Sequence, residues 1–145
     1  MLTENELIKF RRELHSYPET GWCEFVTTHK IVEKLRSFGL DPIYGRQVIN
    51  PEFVAGRNPV KVEEAKKAAL DKGVPPEFIE SMQDYTGVAA IFETGRPGPV
   101  LAIRFDMDCV DVDEAHEAGH RPFDEGWAST NPGHMHSCGH DGHTT

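Results

Sequence analysis

No apolar run in this sequence approaches the ~18 residues that a membrane-spanning helix needs. The N-terminus also lacks the basic stretch and apolar core of a secretory leader, so a cytoplasmic protein is expected. Basic residues are scarce: 15 Lys and Arg face 24 Asp and Glu, a net charge of −9. Phosphate binding needs a basic face, so neither nucleic acid nor an anionic membrane is an expected partner. Cysteine is scarce too. Cys23, Cys109 and Cys138 are odd in number and widely spaced, which does not suggest a disulfide framework. There is no low-complexity tract, and 38% hydrophobic with 27% charged residues describes an ordinary globular chain. Its 145 residues are one domain's worth.

What is present is concentrated at the end. From Asp106 onward the chain carries nine Asp or Glu, one Arg and six of its eight His. Acids and histidines together suit a cation site, although Asp111 to Glu117 reads as a solvated acidic loop. The stretch Gly133 to Thr144 is the densest part, with His134, His136, Cys138, His140, Asp141 and His143 around glycines. Thiolate, imidazole and carboxylate are the donors that zinc and related ions take. In extended geometry residues two apart face one side, so Cys138 and His140 aim at one centre across Gly139. His143 joins them if Asp141 starts a helix, for which Asp141 is a suitable N-cap. His134 and His136 are further candidates, but four-coordinate sites rarely draw every ligand from one loop.

The scaffold reads as α/β. Thr3 and Glu6 form a capping-box pattern before Leu7, Phe10, Leu14 and Tyr17 at helical spacing, and Pro18 ends the helix. His15, near its C-terminal end, is expected to serve a hydrogen-bonding or capping role. A second helix is predicted from about Glu24 to Phe38, stopped by Gly39, with a short extended segment to Val48. Residues 49–83 read as a helical insertion at the surface: a charged, Ala-rich helix over 60–72 and a short one opened by Pro75 and Pro76. Residues 87–93 and 99–105 read as a β-hairpin around Thr94 to Gly98. The second strand is almost wholly apolar, which predicts a central strand covered on both faces. It ends in Asp106-Met107-Asp108, where α/β sheets place their sites. One of these carboxylates is expected to ligate metal or to hold a metal-bound histidine. Residues 109–132 read as a long acidic loop, ordered by its aromatic residues. Chemistry alone points to a hydrolytic zinc or transition-metal site, or to a structural zinc site if four ligands close around the ion.

Three stretches resemble one family. Arg11-Arg12-Glu13-Leu14-His15-Ser16-Tyr17-Pro18-Glu19-Thr20-Gly21, Arg104-Phe105-Asp106-Met107-Asp108 and Met135-His136-Ser137-Cys138-Gly139-His140-Asp141-Gly142-His143-Thr144 are similar, in order, to signatures of the di-metal amidohydrolases. That family includes hippurate hydrolases, indole-acetyl-amino-acid hydrolases and aminoacylase-like metallopeptidases. Tyr44 to Asn50, Thr94 to Val100 and His120 to Ser129 resemble its p-aminobenzoyl-glutamate-cleaving branch, and Asp111 fits that branch. The resemblance implies the N-terminal part of a zinc-peptidase-like α/β/α sandwich, with two helices leading to the hairpin and the metal loop. It implies Cys138 and His140 as ligands of one of two divalent ions, Mn²⁺ or Zn²⁺, with Asp108 supporting them. It leaves His134 and His136 unassigned and makes His143 a structural residue or one that supports the ligands from behind. Cys23 and Cys109 depart from the family pattern without touching an expected ligand. The implied substrate is a small acyl- or aroyl-amino acid, and the implied full-length protein is a homo- or hetero-oligomer. The general-base Glu, the remaining ligands and the dimerisation domain are expected beyond residue 145. The chain alone is therefore expected to be an inactive N-terminal portion, or a non-catalytic metal-binding fragment completed by a partner.

Overall fold

The computed structural model describes residues 2–145. The chain forms two compact units: residues up to Gly21 together with Phe105–Thr145, and Trp22–Arg104.

In the first unit, α1 runs over Glu4–His15. The capping box forms as the sequence predicts, with Thr3 Oγ1 accepting from Glu6 N–H and the Glu6 carboxylate accepting from Thr3 N–H. Phe10 and Leu14 are buried along its inner face. The short helices α5 (Arg121–Asp124) and α6 (His140–Thr144) complete the unit, and α6 packs on α1. An antiparallel bridge between Val110 and Met135 closes the chain between them.

In the second unit, α2 spans Phe25–Ser37 and buries Phe25, Thr28 and Val32. The strand β1 (Ile43–Tyr44) follows, with 3-10 turns at Gly45–Gln47 and Pro51–Phe53. Next come α3 (Pro59–Asp71), α4 (Pro76–Ser81) and β2 (Val88–Ala89). β1 and β2 pair antiparallel, Ile43 with Ala89 and Tyr44 with Val88. The 59–82 excursion is not merely solvated. Val62, Ala69, Val74, Phe78, Ile79 and Met82 are buried, and α3 packs on α2. Phe78 stacks on Tyr44 at 4.6 Å and meets His29 edge-on at 4.7 Å. The charged, Ala-rich sequence hid this, because alanine and a few well-placed apolar groups are enough to seat a short helix.

The predicted hairpin does not form. Only Val88 and Ala89 of 87–93 are strand, and 99–105 has no strand partner among the described residues. Val100 is 97% exposed and Leu101 81%, so the strand expected to be covered on both faces is open. β-propensity expresses packing against neighbours, and within the described residues no strand flanks this run. No helix is long and apolar enough to cross a membrane among the described residues.

Candidate metal centre

Asp108, Cys138 and His140 come together although thirty residues separate the first from Cys138. His140 Nδ1 lies 2.9 Å from the Asp108 carbonyl oxygen and 3.0 Å from its carboxylate Oδ1. A carbonyl oxygen only accepts, so Nδ1 carries the proton and the lone pair sits on Nε2. That is the tautomer a metal-ligating histidine needs when a carboxylate holds it from behind. Cys138 Sγ approaches the same Asp108 carbonyl at 3.8 Å. Thiol sulfur and imidazole Nε2 are a donor pair suited to a zinc-like ion, so the residues present fit the implied group. Gly139 makes the turn between them with φ 87°, in the left-handed region that favours glycine. Among the described residues, no group of three or more His, Cys, Asp or Glu gathers as a metal site, so the four closed ligands of a structural zinc site are not met there.

Behind this loop lies a buried polar cluster. Asp141, placed by the sequence as an N-cap, instead sits inside the first turn of α6, after Gly139 at the cap position. Its carboxylate is wholly buried and accepts from Arg11 Nε at 3.2 Å and His15 Nδ1 at 2.8 Å. His15 Nε2 donates to Glu114 Oε1 at 3.0 Å. Glu114 also accepts from His120 Nε2 at 2.8 Å and from the Ser129 backbone N–H. The Asp111–Glu117 stretch therefore is not simply a solvated loop, because Glu114 is its buried anchor.

Burial works against ionising each of these groups, but their mutual contacts win. For His15, burial lowers the pKa while the hydrogen bonds to Asp141 and Glu114 raise it, and the net shift is upward. Burial would raise Asp141, yet His15 and Arg11 hold it below its ordinary value. Glu114 is likewise lowered against burial by His120, Ser129 and His15. Both carboxylates are thus anions clamped by an imidazolium.

His136 behaves oppositely. It is 3% exposed, neither ring nitrogen has a hydrogen-bond partner among the described residues, and burial drives its pKa down to about 4 against the pull of Asp141. His134 Nδ1 stands 3.2 Å from Asp111 Oδ1 without hydrogen-bond geometry. The His143 ring lies 5.4 Å from that of His140. Burial pushes the Cys109 thiol up to about 12, helped by Cys138 and Asp108, so in the metal-free chain it stays protonated at neutral pH.

Sequence reasoning missed Arg11, Glu114 and His120. Arg11 and His15 had a signal, being four apart on one helix face. Glu114 had none, since one acid in an acidic run looks like its neighbours.

No family model matches the chain. It is 45% identical over 142 residues, 97% of its length, to a p-aminobenzoyl-glutamate hydrolase homolog of Haemophilus influenzae. It is 43% identical over 96% of its length to indole-3-acetyl-aspartic acid hydrolase of Enterobacter agglomerans. These matches cover 34% and 32% of the two relatives, so the chain spans about a third of their length. Among solved structures, the aminobenzoyl-glutamate utilization protein of Klebsiella pneumoniae matches with TM-score 0.67 and 34% identity over 74% of this chain and 28% of that one. The Bacillus subtilis YXEP protein, a dinuclear metal-binding peptidase of the M20 family, matches with TM-score 0.59 and 28% identity over 97% of this chain and 27% of that one. With the α/β scaffold and the three ordered signatures, these likenesses place the chain in the amidohydrolase and M20 peptidase family that includes p-aminobenzoyl-glutamate hydrolase.

Proposed function

We propose that these residues belong to a metal-dependent amidohydrolase that cleaves N-acyl or N-aroyl amino acids, with p-aminobenzoyl-glutamate as substrate. The observation that carries this is the Asp108–His140–Cys138 arrangement, in which His140 Nδ1 and Cys138 Sγ both meet the Asp108 carbonyl and the His140 lone pair is left on Nε2. On this reading Cys138 and His140 are ligands, and Asp108 orients His140. Residues 1–145 form the first part of an α/β/α sandwich catalytic domain, with 49–83 as its helical insertion. The implied pair of Mn²⁺ or Zn²⁺ ions would bring the pKa of water toward ~7 and polarise the scissile carbonyl. The chain's own residues hold the ligand loop, set the His140 tautomer and keep the Cys138 sulfur beside it. The general base and the remaining ligands come from outside these residues, so the chain alone is inactive.

The test is release of p-aminobenzoate from p-aminobenzoyl-glutamate by a complete catalytic domain containing residues 1–145. Chelation should abolish it, restored Mn²⁺ or Zn²⁺ should return it, and Cys138→Ala should lower kcat/KM by at least about 100-fold, on the scale of removing a metal contact. Full activity in Cys138→Ala removes Cys138 from the ligand set.

A second reading is a metal-binding chain completed by another polypeptide. The exposed run Val100, Leu101, Ile103 and Phe105 favours it, because such a strand wants a covering neighbour. Substrate turnover by the 145-residue chain alone would overturn this reading and the proposed inactivity together.

A further inference from the structure

We propose that Arg11 and His15 are a positioning pair for the metal loop: by gripping the buried Asp141 from α1, they set the orientation of Cys138 and His140 without being ligands themselves. The inference rests on the reading of Cys138 and His140 as ligands.

The loop has little means of holding itself. The helix α6 is five residues long, too short to be stable alone. It starts at Gly139, which supplies no side-chain cap and sits in the left-handed region. Asp141 follows His140 directly in the chain, so wherever the Asp141 carboxylate is pinned, the His140 backbone follows. Its side chain is wholly buried and takes two donors from a single helix.

That helix is a firm reference. It is 12 residues long, carries a closed capping box and is seated by Phe10 and Leu14. Arg11 and His15 lie one turn apart on it and converge on the same oxygen, Asp141 Oδ2, at 3.2 and 2.8 Å. His15 is prevented from swinging away. Its other nitrogen is bonded to Glu114, and Trp127 stands edge-on to its ring at 5.0 Å.

Removing a partner that orients a ligand typically weakens metal binding by about 10–100-fold. The test is Co²⁺ titration of the metal-free full chain, followed by visible absorption. The wild type should show a thiolate-to-cobalt band that Cys138→Ser abolishes. Arg11→Gln and His15→Gln should keep wild-type far-UV circular dichroism yet bind Co²⁺ about 10–100-fold more weakly, and Arg11→Lys should recover part of the loss. Arg11 is half-exposed, so Arg11→Gln decides the matter if His15→Gln fails to fold. Wild-type cobalt affinity in the folded variants overturns the positioning role and leaves the ligands standing. A loss of affinity that only tracks unfolding overturns it as well. Absence of any thiolate band in the wild type removes the ligand reading, and the positioning role with it.

Discussion

At the scale of single residues, His15 and His136 share one unit and respond to pH in opposite senses. His15 is raised above its ordinary 6.5 by Asp141 and Glu114, so its contribution is complete below 6.5 and is lost as pH rises through its folded pKa. His136 is held neutral down to about 4, so below 6.5 the unfolded chain takes up a proton that the folded chain refuses. Asp141 and Glu114, both lowered, contribute above their ordinary 3.8 and 4.5 and lose that contribution as pH falls through their folded values. Stability of the metal-free protein should therefore peak near pH 6.5, the ordinary value of both histidines. It should fall on the alkaline side through His15, and on the acid side first through His136 and His29, which burial also lowers, and then through the carboxylates. Thermal melts from about pH 4 to 9 in chelator check this. His136→Phe should flatten the limb between 6.5 and about 4, and an unchanged acid limb in that variant refutes the assignment. Little of the cluster was legible beforehand. Cys138 and His140 announce themselves by their spacing, whereas the link between His15 and Asp141 spans 126 positions and leaves no local pattern.

At the scale of elements, the helices were written in their ends. Thr3 with Glu6 and Gly39 after Phe38 each supply the chemistry a terminus needs, whereas the charged run predicts a start at Val60 and misses Asn58 and Pro59, the N-cap and first residue of α3. The strands were over-read, because alternation and apolarity state what a segment would bury and not whether a partner exists. The excursion was under-read, because its helices join the unit through few side chains. Gly45 makes that joint tight. Its φ is 62°, its N–H donates to the Gly87 carbonyl at 2.9 Å, and a Cβ there would come within 2.6 Å of Met82 Cα. The obstacle is backbone, which cannot rotate aside. Gly45→Ala should destabilise the protein by about 2 kcal/mol or more, read as a lowered denaturation midpoint at unchanged m-value. Phe78→Ala, which empties the space between Tyr44 and His29, should cost about 3 kcal/mol or more. Wild-type stability in Phe78→Ala would show that α4 contributes nothing to the fold.

At the scale of the whole molecule, the open apolar run decides how the chain behaves in solution. Val100, Leu101 and Ile103 face solvent in a stretch of high β-propensity. The 145-residue chain should bind a hydrophobic dye and self-associate as its concentration rises. Val100→Lys with Ile103→Lys should suppress both with little change in the melting midpoint. A monomeric wild type at high concentration would contradict this. The clamp on Asp141 bears on time as well as on space. His15 is made before its partner, which follows 126 residues later. At ordinary rates of synthesis that is a delay on the order of 10 s. Throughout it α1, at 12 residues, is only a marginal helix on its own, and its histidine has no Asp141 to hold. The earlier-made segment thus waits for the later one, and the turn around His140 is fixed only once Asp141 reaches His15.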